Sequence, residues 1–361
     1  MKLPRITILI TLLLTTPAAA QLQITPPATI PSPPAEKQKP KPPPPAAKKK
    51  EAAPAPKPSA SPKPSASPKP QLPATVIPAP ATDAPGVDLV FGAYQRGEYK
   101  TAFDLATARA ANGDTKAMTM LGELYSNAMG IRRDYAKAVE WYKRAADAGD
   151  REAMFALAML RMAGRGGAVD KGEAVKLMAS SAKLGEPKAA YNLALLYLDG
   201  QTLPQDVRRS AELLRQAADA GLPEAQYALA TFYKEGTGVP KDPERAVRLL
   251  QAASLADNVD AEVEYAIAMF NGTGTPKNQP AAVALLRKAS RQGSAIAQNR
   301  LAWVLINGMG ATEDKTEGFK WHLVAKTAGK GDPELDKQFS DLPAEERAKA
   351  EAAAKKWLGT K

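Results

Sequence analysis

The sequence predicts an all-α solenoid, on three observations. A 36-residue unit recurs six times, apolar residues inside each unit fall at helical spacing, and glycines stand at the middle of every unit and at the end of all but one. Ala117, Ala153, Ala189, Ala225, Ala261 and Ala297 mark the phase. Four positions later come Leu121, Leu157, Leu193, Leu229, Tyr265 and Leu301, each followed by a small residue: Gly122, Ala158, Ala194, Ala230, Ala266 or Ala302. The second half of the unit repeats as WY at 141, LM at 177, LL at 213, 249 and 285, and WH at 321. Units close on Gly113, Gly149, Gly185, Gly221, Gly293 and Gly329, with Asp257 in the remaining place.

Spacings of three and four are the signature of an amphipathic helix, and the central glycines divide each unit into two antiparallel helices. One such pair cannot bury both of its apolar faces, so neighbouring units must stack. The small residues let paired helices approach closely.

The mid-unit loops decide whether a nucleotide is held. NGTGTPKN (271–278) looks like a phosphate cradle, but every unit has a version: NAMGIRRD, AGRGGAVD, DGQTLPQD, EGTGVPKD and NGMGATED. A nucleotide-binding glycine loop follows a strand and opens a helix. No strand precedes these loops and no GK[ST] occurs. The glycines are expected to make the tight turn between helices. Asp134, Asp170, Asp206, Asp242 and Asp314, with Asn278, are expected to cap the second helices, and Glu173 and Glu317 to complete capping boxes.

In AMTMLGELYSNAMGIRRDYAKAVEWYKRAADAGD the pattern becomes specific. LGELY, MGIRRD, KAVEWY and AADAG resemble the elements of the Sel-one-like repeat (SLR) family, 36-residue relatives of tetratricopeptide repeats, with Ala128 replacing the first loop glycine. The resemblance covers roughly 88–332. It implies a right-handed α-solenoid and a scaffold or adaptor binding a protein partner, as a non-enzymatic monomer. Some relatives tied to cell-wall ligands carry cysteine pairs, which this chain lacks.

The organisation expected is a signal peptide (1–20), a disordered Pro/Lys/Ala/Ser-rich linker (21–86), an N-terminal capping repeat (87–116), six repeats (117–332) and a C-terminal capping helix (333–361). Lys2 and Arg5 precede the apolar run ITILITLLL, and small residues end it at Ala18 and Ala20. That is a secretory signal and predicts export to the periplasm. Retained uncleaved, it would anchor the chain in the inner membrane. From 21 to 86, nine lysines face three acids among prolines and serines, with almost no core-forming residue. Such a tract favours disorder and extended polyproline II segments, reaching at most ~200 Å at ~3.1 Å per residue. Of the chain's net charge of +11, the signal takes +2 and the tract +6, leaving +3 for residues 87–361. The basicity therefore argues for weak contact with an anionic envelope polymer, or for a solubilising spacer, and not for nucleic acid.

No cysteine is present and one histidine, His322. That leaves no Cys- or His-rich zinc site, and no Ser/His triad unless His322 is its base. His322 falls at a helical position equivalent to Tyr142 and reads as a packing residue. No catalytic residue, cofactor or metal is expected. The remaining candidate is the inner face. By analogy with tetratricopeptide arrays the first helices line it, presenting Phe155, Met159 and Met162, then Tyr191, Leu195 and Leu198, then Tyr227, Phe270 and Trp303. Aromatic residues and methionines suit a binding groove because they bury large areas and adapt to a partner. The same residues can instead pack between neighbouring helices.

Overall fold

The computed structural model describes residues 88–359; the signal segment and the whole of the Pro/Lys-rich tract lie outside the described residues. Among these, sixteen helices and no strand are found. A front pair, α1 (Leu89–Gln95) and α2 (Tyr99–Ala111), precedes six pairs. These are α3 (Thr115–Asn127) with α4 (Tyr135–Asp147), α5 (Arg151–Ala163) with α6 (Lys171–Lys183), and α7 (Pro187–Asp199) with α8 (Val207–Asp219). There follow α9 (Pro223–Glu235) with α10 (Pro243–Leu255), α11 (Val259–Asn271) with α12 (Gln279–Arg291), and α13 (Ala295–Ile306) with α14 (Lys315–Thr327). Each helix from α1 to α14 packs on the next.

The C-terminal end holds two helices where the sequence suggested one. α15 (Pro333–Ser340) comes before α16 (Ala344–Gly359), and α16 packs back on α14. α15 is short and buries only Leu335, so it carries little periodic signal. Its start is marked by Asp332, whose side chain accepts from the backbone N–H groups of Glu334 and Leu335, and by Pro333 at the first position.

The core is built from the phased residues. Ala117, Ala153, Ala189, Ala225, Ala261 and Ala297 are all buried, as are Leu121, Leu157, Leu193, Leu229 and Leu301. The first unit shows how residues across a pair adjust to one another. A Cβ at Gly122 would lie 2.6 Å from the ring of Tyr142. The other units combine alanine with Met178, Leu214, Leu250, Leu286 or His322.

Asp or Asn at the start of each second helix performs two tasks. Its side chain accepts from the N–H three residues on, at 2.8–3.1 Å in all six units. Its own N–H donates back to the first helix, to the carbonyls of Tyr125, Arg161, Tyr197, Tyr233, Met269 and Leu305. This second bond corrects the capping-box expectation. The N–H that Glu173 and Glu317 would have bonded is already taken. Glu173 instead pairs with Arg161 at 3.2 Å, and Glu317 accepts from Trp321 Nε1 at 2.7 Å.

Two loop positions have opposite needs. In NGTGTPKN, Gly274 has φ +70° and a Cβ there would lie 2.3 Å from the Pro243 carbonyl oxygen, at the start of α10 in the preceding unit. At the end of α3, by contrast, Ala128 is held left-handed at φ 58° without the glycine found in five other units. Gly274→Ala is expected to destabilise by about 2–4 kcal/mol, from backbone overlap plus left-handed strain. Ala128→Gly is expected to stabilise by up to about 1 kcal/mol, the relief of strain exceeding the added freedom of the unfolded chain. Thermal melts of the two variants should shift in opposite directions.

Candidate interaction surface

The first helices α5, α7, α9, α11 and α13 carry the nine residues singled out in the sequence. Phe155, Met159 and Met162 on α5 are half-buried, as are Tyr191 and Leu195 on α7, Tyr227 on α9, Phe270 on α11 and Trp303 on α13. They differ in what they offer. Phe155, Met159, Met162, Tyr191 and Tyr227 rest on one core cluster with their outer portions open; Phe270 and Trp303 rest on a second. Leu198 does not belong with them: it is 5% exposed and forms part of the core. It is the last apolar residue of α7 and packs into the core cluster. Trp303 keeps a solvent-facing portion, but its indole Nε1 donates to Asp332 at 2.9 Å, so its polar edge is committed to the helix cap that follows.

Successive first helices meet directly. Tyr94 on α1 donates to Glu123 on α3 at 2.7 Å, and Lys234 on α9 pairs with Glu264 on α11 at 3.0 Å. The sequence reasoning passed over the charge that gathers here. Asp260, exposed at the second residue of α11, joins Glu235 and Glu264 around Tyr227, with Lys234 the cation already paired, and Glu224, exposed at the second residue of α9, acts on Tyr191. Burial and then Glu264, Asp260 and Glu235 push the Tyr227 hydroxyl well above the usual tyrosine range. Burial and Glu224 raise Tyr191. Asp260 is itself raised, first by desolvation and then by Glu264. The signal lay in the sequence at positions one turn apart from the aromatic series, but equivalent positions elsewhere carry Lys116 and Lys188. Only the neighbouring helix shows which charges accumulate.

The lone histidine is structural. His322 is fully buried on α14, its Nε2 2.9 Å from Asp336 on α15, and Asp336 also accepts from Lys326 at 2.7 Å. Those two partners hold the Asp336 carboxyl below the usual carboxylate range. A substrate cannot reach a ring with no exposed surface. Among the described residues no group of three or more His, Asp or Glu could hold a metal ion.

Because Asp260 is raised in the fold, its charged form disfavours the native state. That penalty is absent below the unfolded value, ~pH 4, and grows as pH rises through the folded value. Asp260→Asn is therefore expected to raise the melting temperature at neutral pH, with the gain disappearing below ~pH 4. Melts at several pH values measure this.

The comparisons agree with this geometry. The Sel1 repeat model matches residues 115–150, 151–186, 187–222, 223–258, 259–294 and 295–330, more than half of the chain. Among solved structures, the chain is similar to a protective antigen present in uropathogenic Escherichia coli strains, displaying an SLR fold. That match has 26% identity and a TM-score of 0.63, and covers 72% of this chain and 56% of that one. The chain thus spans just over half the length of that antigen. It is also similar to a Sel1 repeat protein from Oxalobacter formigenes, with 26% identity and a TM-score of 0.59, covering 66% of this chain and 98% of that one. No curated protein matches. The chain belongs to the Sel1 repeat family, whose members are generally non-enzymatic and bind protein partners.

Proposed function

We propose that this protein is an exported adaptor or regulator, acting in the periplasm, that holds a segment of a partner protein along its first helices. The observation that carries the reading is the half-open row of Phe155, Met159, Tyr191, Leu195 and Tyr227 on three successive helices. Phe155, Met159, Tyr191 and Tyr227 are seated on the core at one end and available at the other, as anchors for an amphipathic or extended segment must be, and Leu195 stands half-buried among them. The acids gathered beside Tyr227 extend that row and favour a segment whose trailing end carries Lys or Arg. Export follows from the basic, then apolar, then small-residue pattern at the N-terminus. The nine lysines of the 21–86 tract support a further weak contact with an anionic polymer of the envelope, which would add avidity to the specific one.

Tagged full-length protein used as bait in an envelope extract tests this. One partner protein is expected to be retained at high salt, and lost when Met159→Lys and Leu195→Lys are introduced together with helicity preserved. A loss of about tenfold or more is expected for placing two charges in an apolar contact. Retention that instead collapses with salt and ignores the double variant would overturn the adaptor reading in favour of an envelope tether acting through the lysines.

A further inference from the structure

A second surface lies on the loop edge of the first two repeats. Tyr125, Ile131, Arg132, Arg133, Asp134, Tyr135 and Lys137 line a cleft of about 600 Å³. Arg133 and, from the loop after α5, Arg165 both lie within 6 Å of the centre of the Tyr135 ring, at 5.8 and 5.5 Å; Lys137 lies 5.3 Å from the centre of Tyr125. All four cations are exposed. None of them forms an ion pair among the described residues. The carboxylate in the cleft, Asp134, accepts from the backbone N–H of Lys137 as the helix cap.

The other repeats serve as internal controls. Arg161 pairs with Glu173, Arg209 with Glu212, Arg245 with Asp242, and Lys320 with Glu317. Lys241 and Lys277 stand singly in their loops. Tandem arginines in the mid-unit loop and a tyrosine at the start of the second helix occur in the first unit alone: the equivalents of Tyr135 are Lys171, Val207, Pro243, Gln279 and Lys315. Two guanidiniums within 6 Å of one ring centre concentrate positive charge there, and the ring offsets only part of it. A carboxylate entering the cleft would meet Arg132, Arg133 and Lys137 along its lining, with Arg165 adding positive charge at the same tyrosine ring.

We propose that this cleft binds an acidic segment of a protein partner, one in which Asp or Glu alternates with apolar residues. The cations answer the carboxylates, and the Tyr125, Ile131 and Tyr135 surfaces take the apolar side chains. A bare phosphate uses neither the apolar lining nor the volume. The assignment does not rest on the anchor row, which lies on the first helices and carries the opposite charge in its fourth and fifth repeats.

Fluorescence anisotropy of a labelled peptide of alternating glutamate and leucine, titrated with the full-length protein, tests it. A second labelled probe is an oligophosphate. Three proteins are compared: the unaltered chain, Arg133→Gln with Arg165→Gln, and the charge-matched Lys241→Gln with Lys277→Gln. Peptide affinity is expected to fall about tenfold in the first variant and less than about twofold in the second. Oligophosphate affinity is expected to fall equally in the two, because it responds to net charge and the basic tract. Equal loss of peptide binding in both variants, no loss in either, or a selective loss of the oligophosphate in the first would each overturn the proposal. All four altered residues are exposed, so the melting temperature serves as a check on folding.

Discussion

A loop glycine in one unit lies against the first residue of the second helix in the unit before it, and this close approach sets the spacing of the whole stack. Gly166 meets the carbonyl of Tyr135, Gly238 that of Val207 and Gly274 that of Pro243, while Gly130 and Gly310 face the Cβ atoms of Tyr99 and Gln279. A pair of thirteen-residue helices buries little by itself, so its stability resides in the contact with its neighbours. Backbone-to-backbone approach lets the alanine columns of successive units close without gaps. The third unit, where Thr202 occupies the equivalent position, is the one in which a side chain has to be accommodated there.

Much of this was legible because a repeat displays the same requirement six times. The alanine column, the leucines and the capping aspartates each recur at a fixed interval, and any single coincidence is cancelled by the other five copies. What escaped was the part of each residue's environment supplied by a different helix. Glu173 and Glu317 have the spacing of a capping box, yet the first helix's terminal carbonyl occupies the N–H they would have used. Leu198 has the spacing of the anchor row, yet it is buried within the core cluster. α15 breaks the period and therefore has no other copy to reveal it.

The same distinction separates architecture from recognition. Residues that hold the stack together are those the units share. Residues that recognise a partner are those in which one unit departs from the rest. Tyr191 and Tyr227 repeat an aromatic position that is Phe155 in the second unit, so they serve packing as well as display. Glu224, Asp260 and Glu264, by contrast, have no common counterpart in the first and third units, where Lys116 and Lys188 stand at the second helical position. Desolvation, and then Glu264, raise Asp260 and lower the stability of the native array at neutral pH. A cost of that kind at the surface is a mark of function more than of folding.

Opposite charges on two surfaces of one stack also constrain the order in which a partner could lie on it. The cationic cleft belongs to the first two repeats and the acidic cluster to the fourth and fifth, with the apolar anchors of the second to fourth repeats between them. A single chain engaging all three would place its acidic part toward the N-terminal repeats and its basic part toward the C-terminal ones. Reversing it would set arginine against arginine and carboxylate against carboxylate, a juxtaposition that electrostatics rejects more firmly than any apolar contact could. Apolar anchors alone supply affinity without direction. In the proposed binding mode the charge asymmetry between the two ends of the array would supply the polarity.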